Sequence, residues 1–335
     1  MKQEYQLELG EEIEIEKRET ATNRVLSWMF KNPKFILIPG SQQEDLARRQ
    51  FEYEKDRSKR KLMRRFKSVL TIIGIVIIFV IISFAVFPSW LSPYPFEIAN
   101  GVYSNWWDPP SPDHPLGIGK FGRDVLARCI FGARSSLTVA LPSIAFSVVF
   151  GVLVGVVAAY YGGWVDSIIM RFTDILLAFP GLILAAVFIA IMGVRMENIM
   201  LAYGILGFPF YARLIRGNVL QARGLPYVEA ARVAGAGNWR IMFRHILPNC
   251  IQPVIIALTF NIGGIILSLA GLAFLGFSDP SLVEWGNDLA QARLHLQTAP
   301  WASIWPGFMI LITVLGFMLL GDGLRDALDP RLKNL

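Results

Sequence analysis

The chain contains 335 residues, of which 54% are hydrophobic and only 17% are charged, and its formal net charge is +6. Soluble proteins carry about 25% charged residues, so this composition argues against a soluble protein with buried helices. It indicates instead a protein that spans a membrane several times.

The first 66 residues precede any membrane-length apolar stretch and are predicted to form a cytoplasmic tail. The run from Arg57 to Lys67, RSKRKLMRRFK, holds seven basic residues and no acidic one, immediately before the first long apolar segment. Basic residues remain on the cytoplasmic side during membrane insertion, so we expect the N-terminus inside the cell. The shorter apolar segment 24–38 is expected to lie on the membrane surface or on a partner.

Five later stretches contain no Asp, Glu, Lys or Arg and are long enough to cross a bilayer, which takes about 20 apolar residues. They are Val69–Phe87, Ser135–Val165, Ile175–Val194, Ile246–Ser278 and Leu296–Gly321. A shorter apolar stretch, Asn198–Ala212, is predicted to cross as well. We therefore expect six spans, at about 69–87, 136–160, 175–194, 198–212, 249–275 and 301–321.

Six crossings from a cytoplasmic N-terminus place the C-terminus inside as well. The segments 88–134, 195–197 and 279–300 are then external, whereas 161–174 and 213–245 are cytoplasmic. The charges agree with this topology, since 213–245 carries six arginines against a single acidic residue, Glu229. Because the basic residues lie where membrane insertion requires them, we expect membrane lipid around the spans and no nucleic-acid partner.

Several motifs that carry chemistry in other proteins are absent or misplaced. Residues Gly117–Gly122 match GxGxxG, but this external segment lacks the strand and helix that a dinucleotide site requires. No GxxxxGK[ST] sequence is present, so the chain is not expected to bind ATP through a P-loop. The three histidines are scattered, and no catalytic cluster is found. We therefore expect no metal site, no cofactor and no enzymatic activity in this chain.

The predicted spans contain few polar residues that indicate a function. They lack the intramembrane Asp, Glu and Lys that proton-coupled pumps usually carry, which disfavours an ATP-independent secondary transporter without excluding it. Gly151 and Gly155 form a GxxxG motif, which favours close packing of two helices. The candidate residues for lining a transport pathway are Asn261, Ser268 and Thr313.

The cytoplasmic segment Tyr227–Pro248 has the pattern of a compact helical hairpin. Pro226 favours the start of a first helix, and Glu229 suits its first turn, where negative charge complements the helix dipole. Gly235 and Gly237 are expected to end this helix.

A second helix is predicted to follow, with Asn238 as its N-cap and Pro248 at its end. One of its faces is expected to be apolar and the opposite face basic. These faces consist of Trp239, Met242, Phe243 and Ile246, and of Arg240 and Arg244. The pattern favours an element that docks a soluble partner over a solvated loop or a DNA-binding helix-turn-helix.

The residues of this segment resemble the EAA loop of ABC importer permeases, the cytoplasmic loop that docks a separate ATP-binding subunit. The matching residues are Glu229, Ala230, Ala231 and Gly235, followed by Leu247 and Pro248. From about residue 110 to the C-terminus, the chain resembles the second permease of the dipeptide, oligopeptide and nickel subfamily. The motifs that carry this resemblance are His114–Gly117, Gly122–Leu126, Gly132–Arg134, Gly162–Asp166, Leu177–Gly181, Phe274–Gly276, Glu284–Gly286 and Gly321–Arg331.

The resemblance implies an all-α polytopic membrane protein with six transmembrane helices, the type I ABC importer permease fold and cytoplasmic N- and C-termini. Residues 67–335 would form the permease domain, with the EAA coupling loop at 213–248. The implied importer lies in the cell membrane and contains a paralogous permease subunit, two ATP-binding subunits that hold the ATP, and an extracytoplasmic substrate-binding protein.

The resemblance also implies roles for single residues. Glu229 would be the charged anchor in a groove of the ATPase, and Gly235 would allow the turn. The coupling set is completed by Ala230, Ala231, Trp239, Arg240, Leu247 and Pro248. The expected substrate is a di- or oligopeptide, with oligosaccharide and nickel as alternatives and secondary transport as a different class. The external motif Glu284–Gly286 is expected either to meet the binding protein or to pack within the chain.

Overall fold

The computed structural model describes residues 68–279 and 282–328. The predicted tail 1–66 and the residues from 329 to the C-terminus lie outside the described residues. Over the described ranges the regular structure is helical, with one isolated antiparallel bridge between Ile118 and Asp124 and no strand. This confirms the all-α class.

Nine helices of eight or more residues form the framework of the described part of the chain. They are α1 (Val69–Val86), α2 (Val125–Tyr161), α3 (Gly163–Leu177), α4 (Gly181–Met192), α5 (Met196–Ala222), α6 (Pro226–Val233), α7 (Gln252–Phe274), α8 (Trp285–Ala292) and α9 (Trp301–Leu328). Short helical turns lie at Pro88–Leu91, Phe96–Asn100, Lys120–Gly122 and Arg293–His295, and a helical run over 238–250 joins α6 to α7.

Five of these helices, α1, α2, α5, α7 and α9, are long and apolar enough to cross a membrane. The pair of α3 and α4 adds a sixth crossing when it is counted as one broken span. By length and composition, the described residues therefore hold five membrane-crossing helices, and the bent pair of α3 and α4 brings the number up to the six that the sequence predicts if it counts as one span.

The third span is not the straight helix predicted over 175–194. α3 ends at Leu177 and α4 starts at Gly181, and the two helices are bent by 89° relative to each other. Pro180 lies at the break with extended backbone angles, φ −59° and ψ 123°, and a proline also disfavours helical geometry in the residue before it. With 12 residues, α4 is about 18 Å long, which is too short to cross a bilayer alone.

Three other spans are longer than predicted. α2 covers Val125–Tyr161 rather than 136–160, α5 covers Met196–Ala222 rather than 198–212, and α9 continues to Leu328 rather than ending at 321. The prediction ended each span near the first charged residue, but the charged side chains of Arg128 and Arg134 in α2 and of Arg213 and Arg216 in α5 bind partners inside the protein. In α9 the added residues Asp322, Arg325 and Asp326 are exposed. The cytoplasmic segment predicted at 213–248 consequently begins inside α5 and not in a loop.

Arg134 shows how a basic residue is accommodated within α2. Its guanidinium donates hydrogen bonds to the carbonyl oxygens of Ala85 and Val86, from Nε at 2.8 Å and from Nη2 at 3.0 Å. These carbonyls belong to the last turn of α1, where a helix lacks partners of its own. The arginine therefore joins the C-terminal turn of α1 to the N-terminal third of α2.

α2 and α5 form the most extensive helix pair of the described residues, and glycines allow their backbones to approach. A Cβ atom at Gly151 would lie 2.6 Å from the carbonyl oxygen of Phe208, and one at Gly155 would lie 2.3 Å from that of Ala212. A Cβ atom does not approach a carbonyl oxygen this closely without a shift of the backbone. The predicted packing role of the GxxxG motif is confirmed.

The largest apolar core is one contiguous cluster, which extends through the spanning helices to residues 226–250, here named the coupling segment. It contains Trp285 of α8 on one side, and Val228, Ile241, Met242 and Ile246 of the coupling segment on the other. Close-packed interiors transmit displacement because they have low compressibility. The coupling segment is thus mechanically continuous with the spanning helices.

Candidate functional site

The first helix of the coupling segment, α6, begins at Pro226 and holds Glu229 in its first turn. Gly235 follows the helix in the left-handed region, with φ +80°. The amide of Ala236 then donates a hydrogen bond to the carbonyl oxygen of Ala231 at 3.0 Å, which is the Schellman geometry of a helix end. The predicted glycine-dependent end of the helix is confirmed, because side chains other than hydrogen disfavour this backbone conformation.

The helical run that follows does not use Asn238 as its N-cap. The run starts at Asn238, but Gly237 is the capping position and no side chain caps the run. Instead, Asn238 Oδ1 accepts a hydrogen bond from the Tyr160 hydroxyl at 2.8 Å. Nearby, Arg223 Nη1 donates to the carbonyl oxygen of Ala159 at 2.7 Å. The coupling segment is therefore tied to the cytoplasmic end of α2.

Pro248 does not end the helical run, which continues to Cys250. The residues before it, Ile241–Ile246, form a π-helical turn. Proline has no N–H to bond the carbonyl four residues earlier, and its ring displaces that carbonyl. The wider π-helical turn accommodates this defect without breaking the run.

The π-helical turn changes which side chains share a face. Met242 and Ile246 are buried as predicted, but Ile241 is buried as well, with 0% exposure. Because a π-helix has more residues per turn than an α-helix, residues five apart lie on the same side. Trp239, predicted on the apolar face, is 66% exposed and contacts the Phe243 ring at a centroid distance of 4.3 Å. The tryptophan is thus available to a partner.

The opposite side of the coupling segment is exposed and mixes apolar with charged groups. We define the docking face as Glu229, Ala230, Val233, Gly235, Trp239 and Arg240, all of which are exposed. Of the remaining predicted coupling residues, Pro248 is exposed, whereas Ala231 and Leu247 are half-buried against the core. Aromatic and arginine side chains beside apolar ones are characteristic of protein interfaces, so this face is suited to a protein partner.

Ion pairs join α3 to α5 next to the coupling segment. Arg216 donates to both carboxylate oxygens of Asp166, from Nε at 2.6 Å and from Nη2 at 2.5 Å, which is the strong bidentate arrangement. Arg213 and Asp174 form a second pair between the same helices. The sequence analysis did not predict these ion pairs. It included Asp166 only as part of the Gly162–Asp166 motif.

A cavity of about 340 Å³ lies between α2, α4, α5 and α7. Two of the predicted pathway residues, Asn261 and Ser268, line it. The third, Thr313, does not, because it is buried in α9 and its hydroxyl donates to the carbonyl oxygen of Met309 at 2.6 Å. Thr313 therefore satisfies its hydrogen bond within its own helix.

The cavity is also lined by polar residues that the sequence reading missed, namely Ser147, Tyr203 and Tyr211. Asn261 Nδ2 donates to the Tyr211 hydroxyl at 2.9 Å, which joins α7 to α5. The Tyr203 hydroxyl is buried and has no hydrogen-bond partner among the described residues. Ser147, Tyr203 and Tyr211 could have been identified from the sequence, because they are polar residues within otherwise apolar spans, where polar groups are often functional.

The external motif Glu284–Gly286 is packed inside the chain. Trp285 is 1% exposed, and its Nε1 donates to the carbonyl oxygen of Cys129 at 3.0 Å. A Cβ atom at Gly286 would lie 2.2 Å from the carbonyl oxygen of Ala270. Of the two readings that the sequence left open, the structure favours packing over contact with a binding protein.

Charged side chains are buried beside this motif. Arg128 donates from Nε to Asp288 Oδ1 at 2.6 Å and from Nη1 to the carbonyl oxygen of Ala99 at 2.7 Å. Glu284 is 2% exposed, and neither of its carboxylate oxygens has a hydrogen-bond partner among the described residues. Burial, with the nearby acids Asp279 and Asp288, raises the pKa of Glu284 to about 8, and Arg128 opposes this only in part.

Because the pKa of Glu284 is raised, the stability of the folded protein is expected to depend on pH. Glu284→Gln, which cannot ionise, is expected to remove this part of the pH dependence. Since the pKa rises from 4.5 to about 8, the protonated side chain stabilises the fold fully below pH 4.5, and this contribution is lost as the pH rises to 8. Thermal unfolding of the purified protein across this range should show the wild type losing stability relative to Glu284→Gln. The exposed acid Glu197, changed to Gln, is the control, and parallel curves for all three proteins would contradict the assignment.

The sequence of the chain is similar to those of known transport proteins. The chain matches the family described as "Binding-protein-dependent transport system inner membrane component" over residues 151–334. It is 41% identical over 269 residues to the dipeptide transport system permease protein DppC of Alkalihalophilus pseudofirmus, which covers 80% of this chain and 88% of that protein. It is also 41% identical over 277 residues to the glutathione transport system permease protein GsiD of Pectobacterium atrosepticum, with 82% and 92% covered.

The matched range includes the coupling segment and the helices α5 and α7 that line the cavity. A further relative, GsiD of Escherichia coli O6:K15:H31, is 40% identical over 272 residues, with 81% of this chain and 89% of that protein covered. With its membrane-crossing helices, the chain is a multi-pass protein of the cell membrane. It belongs to the family of binding-protein-dependent transport system inner membrane components.

Proposed function

We propose that this chain is the permease subunit through which an ABC importer transmits work from its ATPase subunits to the transport pathway. The observation that carries the proposal is the two-sided coupling segment. Its docking face is exposed, whereas Val228, Ile241, Met242 and Ile246 on its other side are buried in the core shared with the spans. A partner that binds the docking face would therefore move the helix ends and not a loose loop.

The proposed source of energy is another chain. Because the sequence contains no P-loop, two partner subunits would bind and hydrolyse ATP, and this chain would need no cofactor and would catalyse no reaction. Glu229 would be the charged anchor in a groove of the ATPase, with Val233 and Trp239 supplying apolar contact around it. This combination of a charge surrounded by apolar groups gives both orientation and binding energy at an interface.

Movement of the coupling segment would reach the spans through bonds between helices. The Asn238–Tyr160 hydrogen bond connects the segment to α2. The Arg216–Asp166 pair connects α5 to α3, the first half of the bent span. A switch between inward-open and outward-open states requires elements that move as rigid bodies. We propose that α2, α3 and α5 form such a body at the cytoplasmic side.

The remaining partners would complete the pathway and deliver the substrate. Two residues that line the cavity, Leu182 and Phe210, are 36% and 46% exposed, so the cavity wall is incomplete within this chain. We propose that a paralogous permease subunit closes it, as a heterodimer with this chain. An extracytoplasmic substrate-binding protein would deliver the substrate to the external side.

The proposed substrates are di- and oligopeptides. The relatives are named as permease proteins for dipeptide and for glutathione, and glutathione is itself a tripeptide. Oligosaccharide and nickel are the alternatives within the same machinery. An ATP-independent secondary transporter is the alternative outside it.

Uptake into proteoliposomes that contain the complete complex tests the proposal. With ATP supplied on the ATPase side, a labelled dipeptide should accumulate, and a protonophore should not stop it. Excess nickel or unlabelled oligosaccharide should not compete. Uptake that requires a proton gradient and no ATP would contradict the importer mechanism, and ATP-driven uptake of nickel or oligosaccharide alone would contradict the peptide assignment.

A further inference from the structure

The helix α3 has one side that the rest of the described chain leaves uncovered. We define this outer face as the exposed residues Trp164, Ile168, Arg171, Phe172 and Ile175. They share one side of the helix because successive members are three or four residues apart. Four large apolar side chains grouped on one exposed side indicate a surface that contacts something other than water.

The ion pairs of α3 give the depth of this face in the membrane. Asp166 binds Arg216, and Asp174 binds Arg213. The two arginines lie 20 and 17 residues after Met196, the external start of α5. At 1.5 Å per residue they are about 30 Å and about 26 Å from that end, and the hydrocarbon core of a bilayer is about 30 Å thick. The outer face of α3 therefore lies where the acyl chains of the cytoplasmic leaflet meet its headgroups.

The same ion pairs show that α3 crosses α5 at a steep angle. Asp166 and Asp174 are eight residues apart on α3, which is about 12 Å, whereas their arginine partners are three residues apart on α5, which is about 4.5 Å. Helices with parallel axes would pair residues at equal separations. The outer face therefore runs along the boundary between acyl chains and headgroups instead of passing straight through it.

The outer face continues into an exposed apolar side of the membrane-crossing helix α2. The Phe172 ring lies 6.4 Å from that of Phe208, which contacts Phe150 at 5.0 Å. Phe150 stacks on Phe146, and Phe146 and Phe150 are 42% and 43% exposed. Phe210, where the paralogous permease is proposed to close the cavity, is two residues from Phe208 and so about 200° round α5. The aromatic surface is therefore on another side of α5, where acyl chains would cover it.

One positive charge interrupts this apolar surface. Arg171 is exposed and forms no ion pair or hydrogen bond within the described ranges. A charge beside hydrocarbon requires a counter-charge or water, and the aliphatic stem of an arginine can extend along apolar neighbours to bring the guanidinium to the headgroups. A phosphate group supplies the counter-charge, with oxygens that a guanidinium binds through two N–H groups.

We propose that the outer face of α3 binds an anionic phospholipid of the cytoplasmic leaflet, with Arg171 on its phosphate and Phe172 against an acyl chain. An anionic lipid is favoured because a zwitterionic headgroup carries its own cation, which competes with Arg171 for the phosphate. The site is separate from the docking face and from the cavity. It attaches α3 to the membrane next to the coupling segment, and it requires only that the chain lies in a membrane.

Fluorescence quenching at the site tests the proposal in proteoliposomes that contain the complete complex. A fluorescent amino acid replaces Ile168, which is 60% exposed. The vesicles consist of phosphatidylcholine with a small fraction of either phosphatidylglycerol or phosphatidylcholine that carries the same nitroxide-labelled acyl chain. At equal fractions, labelled phosphatidylglycerol should bind about fivefold more strongly, which corresponds to about 1 kcal/mol for one arginine near an anionic headgroup.

Three variants assign the preference to Arg171. Arg171→Gln should remove the preference for phosphatidylglycerol, and Arg171→Lys, which keeps the charge, should retain part of it. Arg195→Gln is the matched control, because it removes an arginine that is 75% exposed at the external end of α5. It should show the wild-type preference.

The outcomes that would overturn the proposal are distinct. Quenching by neither lipid would show that protein, such as the paralogous permease, covers the outer face. Equal quenching by both lipids in the wild type would show a lipid-facing surface without an anionic site, and a preference that survives Arg171→Gln would show that this arginine does not bind the phosphate. Peptide uptake measured in the same vesicles tests the proposed function separately, because its absence would leave a measured lipid preference unchanged.

Discussion

Glu229→Lys is expected to lower ATP-driven uptake at least about tenfold without reducing the amount of protein in the membrane. Glu229 is exposed in the first turn of α6, so a lysine there leaves the core intact but reverses the charge of the proposed anchor. Loss of one partner of a charged pair at an interface costs about 2 kcal/mol or more, and 1.4 kcal/mol is tenfold in affinity. Uptake and ATPase activity of the reconstituted complex are the measurements.

Two further variants sharpen this prediction. Glu197→Lys makes the same charge change at an acid that is 71% exposed at the external end of α5, and it should transport normally. Gly235→Asp should impair uptake as Glu229→Lys does, because φ +80° at this position disfavours a side chain and the turn orients the docking face. Normal uptake in both Glu229→Lys and Gly235→Asp, at normal membrane levels, would contradict the coupling role.

Gly155→Leu is expected to disrupt the packing of α2 against α5 and to lower the stability and yield of the folded protein strongly. Its Cβ atom would lie 2.3 Å from the carbonyl oxygen of Ala212 and 2.5 Å from Cγ2 of Ile215. Overpacking in ordinary cores costs about 1–3 kcal/mol, and here the obstacle is backbone, which cannot change rotamer. Such a cost is a large part of the total stability of a typical protein, about 5–15 kcal/mol.

The yield of monodisperse protein after solubilisation and its thermal unfolding measure this effect. Gly217→Leu introduces the same side chain on α5 at a site with no neighbour within 4 Å. It should give wild-type yield and stability. Equal yields and unfolding temperatures for Gly155→Leu and Gly217→Leu would show that the close approach of α2 and α5 does not hold the fold together.

The features that the sequence predicts well are those set by local chemistry. A charge-free apolar stretch is helical wherever it lies in a bilayer, so the existence of the spans follows from composition. The turn at Gly235 follows from the need for a left-handed residue at a helix end. The GxxxG packing of Gly151 and Gly155 follows from the space that two small residues leave. Each of these depends on a few neighbouring residues.

The features that the sequence analysis missed have two causes, namely partners that are far apart in the chain and local departures from straight α-helical geometry. Arg128 binds Asp288 across 160 positions, and this partner allows α2 to begin well before its apolar stretch. The bend at Pro180 was not predicted, because the hydropathy of a segment reflects its composition and gives no information on the direction of the helix axis. The π-helical turn before Pro248 shifted the buried face by one residue, to include Ile241, and α-helical periodicity gives no sign of such a turn.

Photo-cross-linking from the docking face identifies the protein that lies against this surface, and so tests the claim that the docking face binds the ATP-binding subunit. Val233 of the docking face and Trp90 of the external segment are 89% and 90% exposed, so they differ in location and not in accessibility. A photoreactive amino acid is placed at one or the other position in cells that express the whole complex. We expect a cross-link to the ATP-binding subunit from position 233 and none from position 90. A cross-link to that subunit from position 90, or its absence from position 233, would contradict the claim.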